Sequence, residues 1–328
     1  MNPRENPDTG SGRSSGSSPG RRRVLFWVKV GVSGLALYLI FRGTDPGRIS
    51  GLLAGSRKPF WAAAFGLMVL SQVISTFRWQ ILLRLLDFNL PWPRVFRIYF
   101  AGMFFSLFLP TVVGGDGIKT YFIASDWKRV PAALYTLLAD RTIGLAALGI
   151  YALLGIRAVW EVWPVTLIRG VVFSVGLLYL ILLLLPRLSA PALMLNRKLR
   201  EVPPERLFVF WQKWRETGKA WLLSLVVHLC LVISHVCLAR ALDLGIPWPV
   251  WAVIYPVTAL AAFLPISLSG VGPREAAYVY LIGLSGVSRE ICLAFGIMWF
   301  SIVLASGLVG GFFYLFGGEL SMRDAIGR

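Results

Sequence analysis

Polar and apolar positions fall into long blocks along the chain. Apolar segments cover about 24–41, 59–83, 95–110, 130–156, 163–185, 219–242, 249–266, 274–285 and 290–316, with short polar joints between them. Two runs hold no charged residue, Ala220–Ala239 (20 residues) and Ile291–Gly318 (28 residues). At about 1.5 Å per residue either could cross a hydrocarbon core of roughly 30 Å as a helix. The pattern predicts an all-α polytopic membrane protein. Composition agrees, because only 15% of the 328 residues are charged, against about 25% in a soluble domain.

Polar stretches set the expected topology. Residues 1–23 are Gly/Ser/Pro-rich and then basic, and are expected to form a disordered tail. The apolar run that follows resembles a signal peptide without a cleavage site, so it is taken as a first helix starting in the cytoplasm. Between 187 and 219 lie eight Lys or Arg against three Glu, which places this connection in the cytoplasm. Within it, 204–216 is expected to form an amphipathic interfacial helix with Leu207, Phe208, Phe210, Trp211 and Trp214 facing lipid. The net charge of +17 reads as the bias of cytoplasmic loops and not as a nucleic-acid surface, since no basic patch sits on a soluble module. Trp79, Trp92, Trp248 and Trp251 are expected in interfacial belts.

The chain also repeats itself. "RLLDFNLPWP" (84–93) matches "RALDLGIPWP" (240–249) at six of ten positions, 156 residues apart. One residue closer, "FLP" at 108–110 matches 263–265, Gly115 and Gly117 match Gly270 and Gly272, and Lys119 matches Arg274. Four crossings (24–41, 59–83, 130–156, 163–185) separate two cytoplasmic ends, so 95–125 must enter and leave on one side. The expectation is about eight membrane segments, including two re-entrant helix pairs in an inverted internal repeat. Its halves are about 59–185 and 219–316, flanking loop 187–218, within one membrane domain over 24–318 and before a tail at 319–328. Paired breaks in inverted halves point to a transporter's binding site.

Charges at those breaks are the candidate chemistry. Asp116 is placed to N-cap a helix over 117–125, with Lys119 one turn in. The second copy has Gly270, Gly272, Pro273, Arg274 and Glu275. Two helix starts with free N–H groups could hold a phosphate; alternatively, Asp116 and Glu275 complete caps and pair with Lys119 and Arg274. Asp140 and Arg141 lie roughly 13 Å into a helix that starts near Pro131. Arg141 then binds an anion while Asp140 pairs or relays protons, or both form a structural ion pair with Asp116 or Glu275. Arg78, near a helix end, either snorkels or joins the headgroup ligands.

His228 and His235 share one helix face, Cys230 and Cys237 another. Buried helix–helix hydrogen bonds are the main reading; a proton-coupling His is the alternative, and no metal or other cofactor is expected. Cys230, Cys237 and Cys292 lie in apolar runs and give no disulfide pattern. No nucleotide-binding Gly-rich motif is present.

The pieces "FRWQILL" (77–83), "LPTVVGGDGIKTYFIA" (109–124), "LADRTIGL" (138–145) and "LPISLSGVGPREAAYVYLIG" (264–283) resemble the flippase-like membrane domain of the lysylphosphatidylglycerol synthase family. The resemblance implies an eight-segment fold that moves a lipid or lipid-linked headgroup between leaflets, with Arg78, Asp116, Lys119, Arg141, Arg274 and Glu275 as the matching positions. Complete synthases carry a soluble aminoacyl-transferase domain after the membrane part; this chain stops at Arg328, so a non-enzyme is expected. The partners expected are an anionic phospholipid or polyprenyl-linked substrate in the inner membrane. Two alternatives stand beside this reading: a membrane enzyme acting on a headgroup, and an accessory subunit that holds a separate transferase through loop 187–218.

Overall fold

The computed structural model describes residues 28–108 (29, 30, 33 and 36 excepted), 114–124, 129–195, 209–263 and 270–316, with backbone alone for 182–183, 185–195 and 211. Expectations for the two tails, most of the basic loop, Pro110 and Pro265 therefore lie outside the described residues. All regular elements among the described residues are helices. After a helical stretch ending at Phe41 come α1 (Pro46–Gly55), α2 (Lys58–Leu85), α3 (Trp92–Phe108), α4 (Gly114–Ile123), α5 (Val130–Val159) and α6 (Val165–Leu195). The short α7 (Val209–Gln212) leads to α8 (Trp214–Ala241), α9 (Trp248–Phe263), α10 (Pro273–Gly283) and α11 (Arg289–Phe316). Among the described residues, α2, α5, α8 and α11 are long and apolar enough to cross a bilayer.

α1 was not anticipated. Its signal was local: Asp45 accepts a hydrogen bond from the Gly47 N–H at 2.8 Å, and Pro46 opens the helix.

The duplication is visible in the element lengths. α2, α3, α4 and α5 have 28, 17, 10 and 30 residues, and α8, α9, α10 and α11 have 28, 16, 11 and 28. Asp87 and Asp243 end α2 and α8 with the same left-handed backbone, φ 62° and 54°, and Phe88 and Leu244 N–H groups close both ends on Leu83 and Ala239 carbonyls. A non-glycine residue tolerates that φ best as Asp or Asn.

Packing also follows the repeat. α2 lies against α8, with Arg57 near Ala241, Ala64 near Ser234 and Arg78 near Ser224, so these equivalent helices run antiparallel. Each half's second helix packs on the other half's fourth: α3 on α11 and α9 on α5. Glycine makes both crossings close. A Cβ at Gly155 would meet the Pro249 carbonyl oxygen at 2.6 Å, and one at Gly310 would strike that of Phe100.

Three expectations are corrected here. The interfacial helix does not form as one piece, because α7 ends at Gln212 and α8 starts at Trp214; Phe210 is buried against Tyr135 and not turned to lipid, while Trp214 is exposed. Trp79 and Trp251 are fully buried core residues instead of belt residues. Trp92 donates to the Thr76 hydroxyl at 3.1 Å, and Trp248 is exposed. Trp79 is covered by Tyr99 and Thr136, and Trp251 by His235 and Phe295, so other helices of its own half bury each ring.

Candidate functional site

A cavity of about 400 Å³ lies between the halves, walled by α2, α3, α4, α5, α8, α9, α10 and α11. Arg78, Lys119, Asp140, Arg141 and Arg274 all reach it.

Arg78 is the main correction. It does not snorkel to a helix end; it is 6% exposed and points inward. Its guanidinium donates from Nε to Asp140 Oδ1 at 2.8 Å and from Nη2 to Oδ2 at 2.9 Å, while Nη1 donates to Ser224 Oγ at 2.9 Å. This two-pronged pair, with its remaining edge on a hydroxyl, satisfies a buried charge at the cavity wall.

Asp116 does not N-cap a helix at 117; α4 starts three residues earlier than that reading needs, at Gly114, and puts Asp116 inside its first turn. The carboxylate is consequently free to face sideways. Its Oδ2 accepts from Arg141 Nε at 3.1 Å and Nη2 at 2.9 Å, and its Oδ1 lies 3.3 Å from Lys119 Nζ. Lys119 also stands 4.0 Å above the Tyr99 ring centroid. Arg141 is the most open cation of the group, its side chain 34% exposed, with its guanidinium 5.4 Å from the Phe263 ring.

In the second copy Glu275 works within its own helix. Its Oε2 accepts from the Gly272 N–H at 2.7 Å, and its Oε1 accepts from Arg274 at 3.0 and 2.6 Å. The N–H that an anion would have met at Gly272 is therefore taken by a carboxylate. Side-chain cations carry the positive character of the cavity, in place of that helix start.

The glycines divide by role. Gly272 (φ 101°) and Gly270 (φ 78°) adopt left-handed backbone, and a Cβ on Gly270 would come within 2.7 Å of the Ala262 carbonyl. Gly115 meets Gly102 across α3 and α4 with no room for a Cβ. Gly117 is exposed with open space where a Cβ would be, and the fold does not bring it to the cavity.

Both histidines make the helix–helix hydrogen bonds expected. His228 bridges the Gly144 carbonyl (2.9 Å) and Tyr255 Oη (2.8 Å), and His235 bridges the Leu231 carbonyl and Tyr278 Oη, both at 2.8 Å. A carbonyl can only accept, so a neutral His228 carries its proton on Nε2 and a neutral His235 on Nδ1. Tyr255 and Tyr278 then donate to the other nitrogens. The sequence reading missed Tyr99, Tyr255, Tyr278, Thr258 and Ser224. A signal existed for two of them: the register of the duplicated decapeptide runs on to Ile98–Tyr99 and Ile254–Tyr255.

Buried cations between two duplicated sets of apolar helices describe a membrane protein, not yet its relatives. A family model described as the lysylphosphatidylglycerol synthase TM region matches residues 26–311. The chain belongs to this family. Among curated relatives, a UPF0104 membrane protein of Methanothermobacter thermautotrophicus (strain ATCC 29096 / DSM 1053 / JCM 10044 / NBRC 100330 / Delta H) is 22% identical over 312 residues, covering 84% of this chain and 87% of that protein. The family description concerns the membrane part of a synthase, and the charged cavity lies wholly within the matched residues. In this family member the multi-pass membrane domain is the whole of what the match describes.

Proposed function

We propose that this family member moves an anionic lipid or lipid-linked headgroup between the leaflets of the inner membrane, without itself catalysing a reaction. One observation carries the reading: the cavity cluster sets Arg78, Lys119, Arg141 and Arg274 against Asp140, Asp116 and Glu275, four cations to three carboxylates. An excess of one positive charge in a low-dielectric site attracts an anion strongly, and a phosphate that fits between the cations replaces water as their partner. Arg141, open to the cavity, is the first contact; Lys119 and Arg274 approach from the two helix starts.

The architecture proposed with it is an inverted repeat of about eight membrane segments, α3–α4 and α9–α10 forming re-entrant pairs, with the N-terminus in the cytoplasm. Antiparallel packing of the equivalent helices α2 and α8 supports inversion, because a two-fold axis that reverses membrane-crossing helices lies in the membrane plane. Segments of 17, 10, 16 and 11 residues support re-entry, since about 20 are needed to cross. Rocking of one half against the other would open the cavity to each leaflet in turn.

The test is translocation of anionic phospholipids and polyprenyl phosphates in proteoliposomes, wild type against Arg141→Ala. The expected result is headgroup-selective movement by the wild type, with at least about a tenfold loss in the variant, the equivalent of one charge-assisted contact of 1.4 kcal/mol or more. Folded, inserted wild type that moves none of these lipids would overturn the reading and favour an accessory role that holds a separate transferase at the membrane.

A further inference from the structure

A second chamber, of about 540 Å³, lies between α5, α6 and α9. Apart from the hydroxyls of Thr166 and Ser174 its walls are apolar. Small residues make the space: Ala152 on α5, and Gly170 and Ser174 on α6. Small residues on facing helices ordinarily let the backbones close together. Here they leave an apolar groove, exposed along Thr166, Gly170 and Ser174, which offers water no partners and forfeits dispersion contacts when empty.

The two cavities share a wall. Leu145 and Leu148 of α5 line both. α9 supplies the rest of the partition, turning Tyr255, Thr258 and Ala259 to the polar side and Pro256, Val257 and Leu260 to the apolar side. A molecule with a charged end in the polar cavity therefore has an apolar compartment one side-chain layer away.

We infer that the α5–α6–α9 chamber holds one acyl chain of the phospholipid whose headgroup occupies the polar cavity. The inference rests on the headgroup reading above and names the class of substrate: a lipid recognised by chain as well as by charge. The volume falls in the range of a site for one small ligand, enough for a single acyl chain. Leu145 and Leu148 are the positions where headgroup and chain compartments meet.

Phosphatidylglycerol carrying a diazirine in one acyl chain tests this in proteoliposomes, with photo-adducts mapped by mass spectrometry. Adducts are expected to concentrate on the chamber face at Thr166, Gly170, Ser174 and Val257, and to be sparse on Phe173, which is 70% exposed on the outside of α6. Gly170→Trp, at a position where a side chain meets nothing within 4 Å, should remove most chamber adducts and leave those on Phe173. Ser174→Phe, one turn on, repeats the test should the first variant misfold. Adducts spread evenly over both faces of α6, or unchanged in both variants, overturn the assignment. Labelling of the chamber by a diazirine polyprenyl phosphate in place of the phospholipid also overturns it. Failure here is separable from failure of the headgroup reading. Even labelling with Arg141-dependent translocation removes the chain site alone, whereas concentrated labelling without translocation keeps the chain site and removes transport.

Discussion

The first half of the duplication is ionic where the second half is aromatic. Trp79 and His235 stand 156 positions apart, as do Tyr99 and Tyr255. In the first half Lys119 covers the Tyr99 ring at 4.0 Å and lies 5.6 Å from Trp79. In the second, His235 is enclosed by Trp251, Tyr255, Tyr278, Phe295 and Trp299, with the Trp299 ring 4.0 Å away. Asp140 and Arg141 correspond, at a spacing of 155, to Phe295 and Gly296. Where Arg141 reaches across to Asp116, Gly296 carries no side chain and lies beside Glu275, whose Cγ would be in ordinary contact with an added Cβ at 3.6 Å. Shared backbone with divergent chemistry teaches that the helix frame and the charge are separate properties of this fold. The first half supplies three of the cavity's cations, Arg78, Lys119 and Arg141, and the second supplies Arg274 beside a mostly aromatic wall.

The largest expected effect comes from breaking the ionic half. Asp140→Ala leaves the Arg78 guanidinium buried without its partner, at a cost of about 3–5 kcal/mol, read as a lower unfolding midpoint in detergent. The double variant Arg78→Met/Asp140→Leu should recover most of that loss. If it does not, the pair stabilises this half by more than charge neutralisation.

Next, the equivalence of the halves can be tested at their crossings. Gly155→Leu and Gly310→Leu each force a side chain into a carbonyl of the opposite half, and each should cost about 1–3 kcal/mol. Similar losses sharpen the two-fold description; a loss at one position alone breaks it.

A smaller contrast separates the aromatic walls. Tyr278→Phe deprives His235 Nε2 of its donor and should lower stability by about 1 kcal/mol. Tyr99→Phe keeps the ring face beneath Lys119 and should change it by less, in the same unfolding measurement. The smallest effect belongs to the ion pair that joins the ends of α2 and α8. Arg57 and Asp243 are more than half exposed, so Arg57→Ala should cost no more than about 1 kcal/mol, and less at high salt.

What the sequence by itself determined was set by local and one-dimensional physics. Uninterrupted apolar length marked the long helices, because a bilayer admits few other structures. Internal similarity marked the duplication, and Asp87 with Asp243 even carries the shared left-handed turn. Gly270, Gly272, Lys119 and Arg274 were legible as the points where charge and broken helix coincide, and Arg141 as a charge deep within a helix. Tertiary structure alone decided the partners. Arg78 looked like a helix-end cation, and Asp140 lies 62 residues away; only the approach of α2 to α5 makes them a buried pair. Trp79, Trp251 and Phe210 looked fit for an interface because a sequence shows a side chain's polarity but not which face the rest of the chain will cover. The choice between Asp116 as cap and Asp116 as partner of Arg141 turned on the fold, because α4 at Gly114–Ile123 brings the carboxylate to an arginine of α5 that lies 25 residues on.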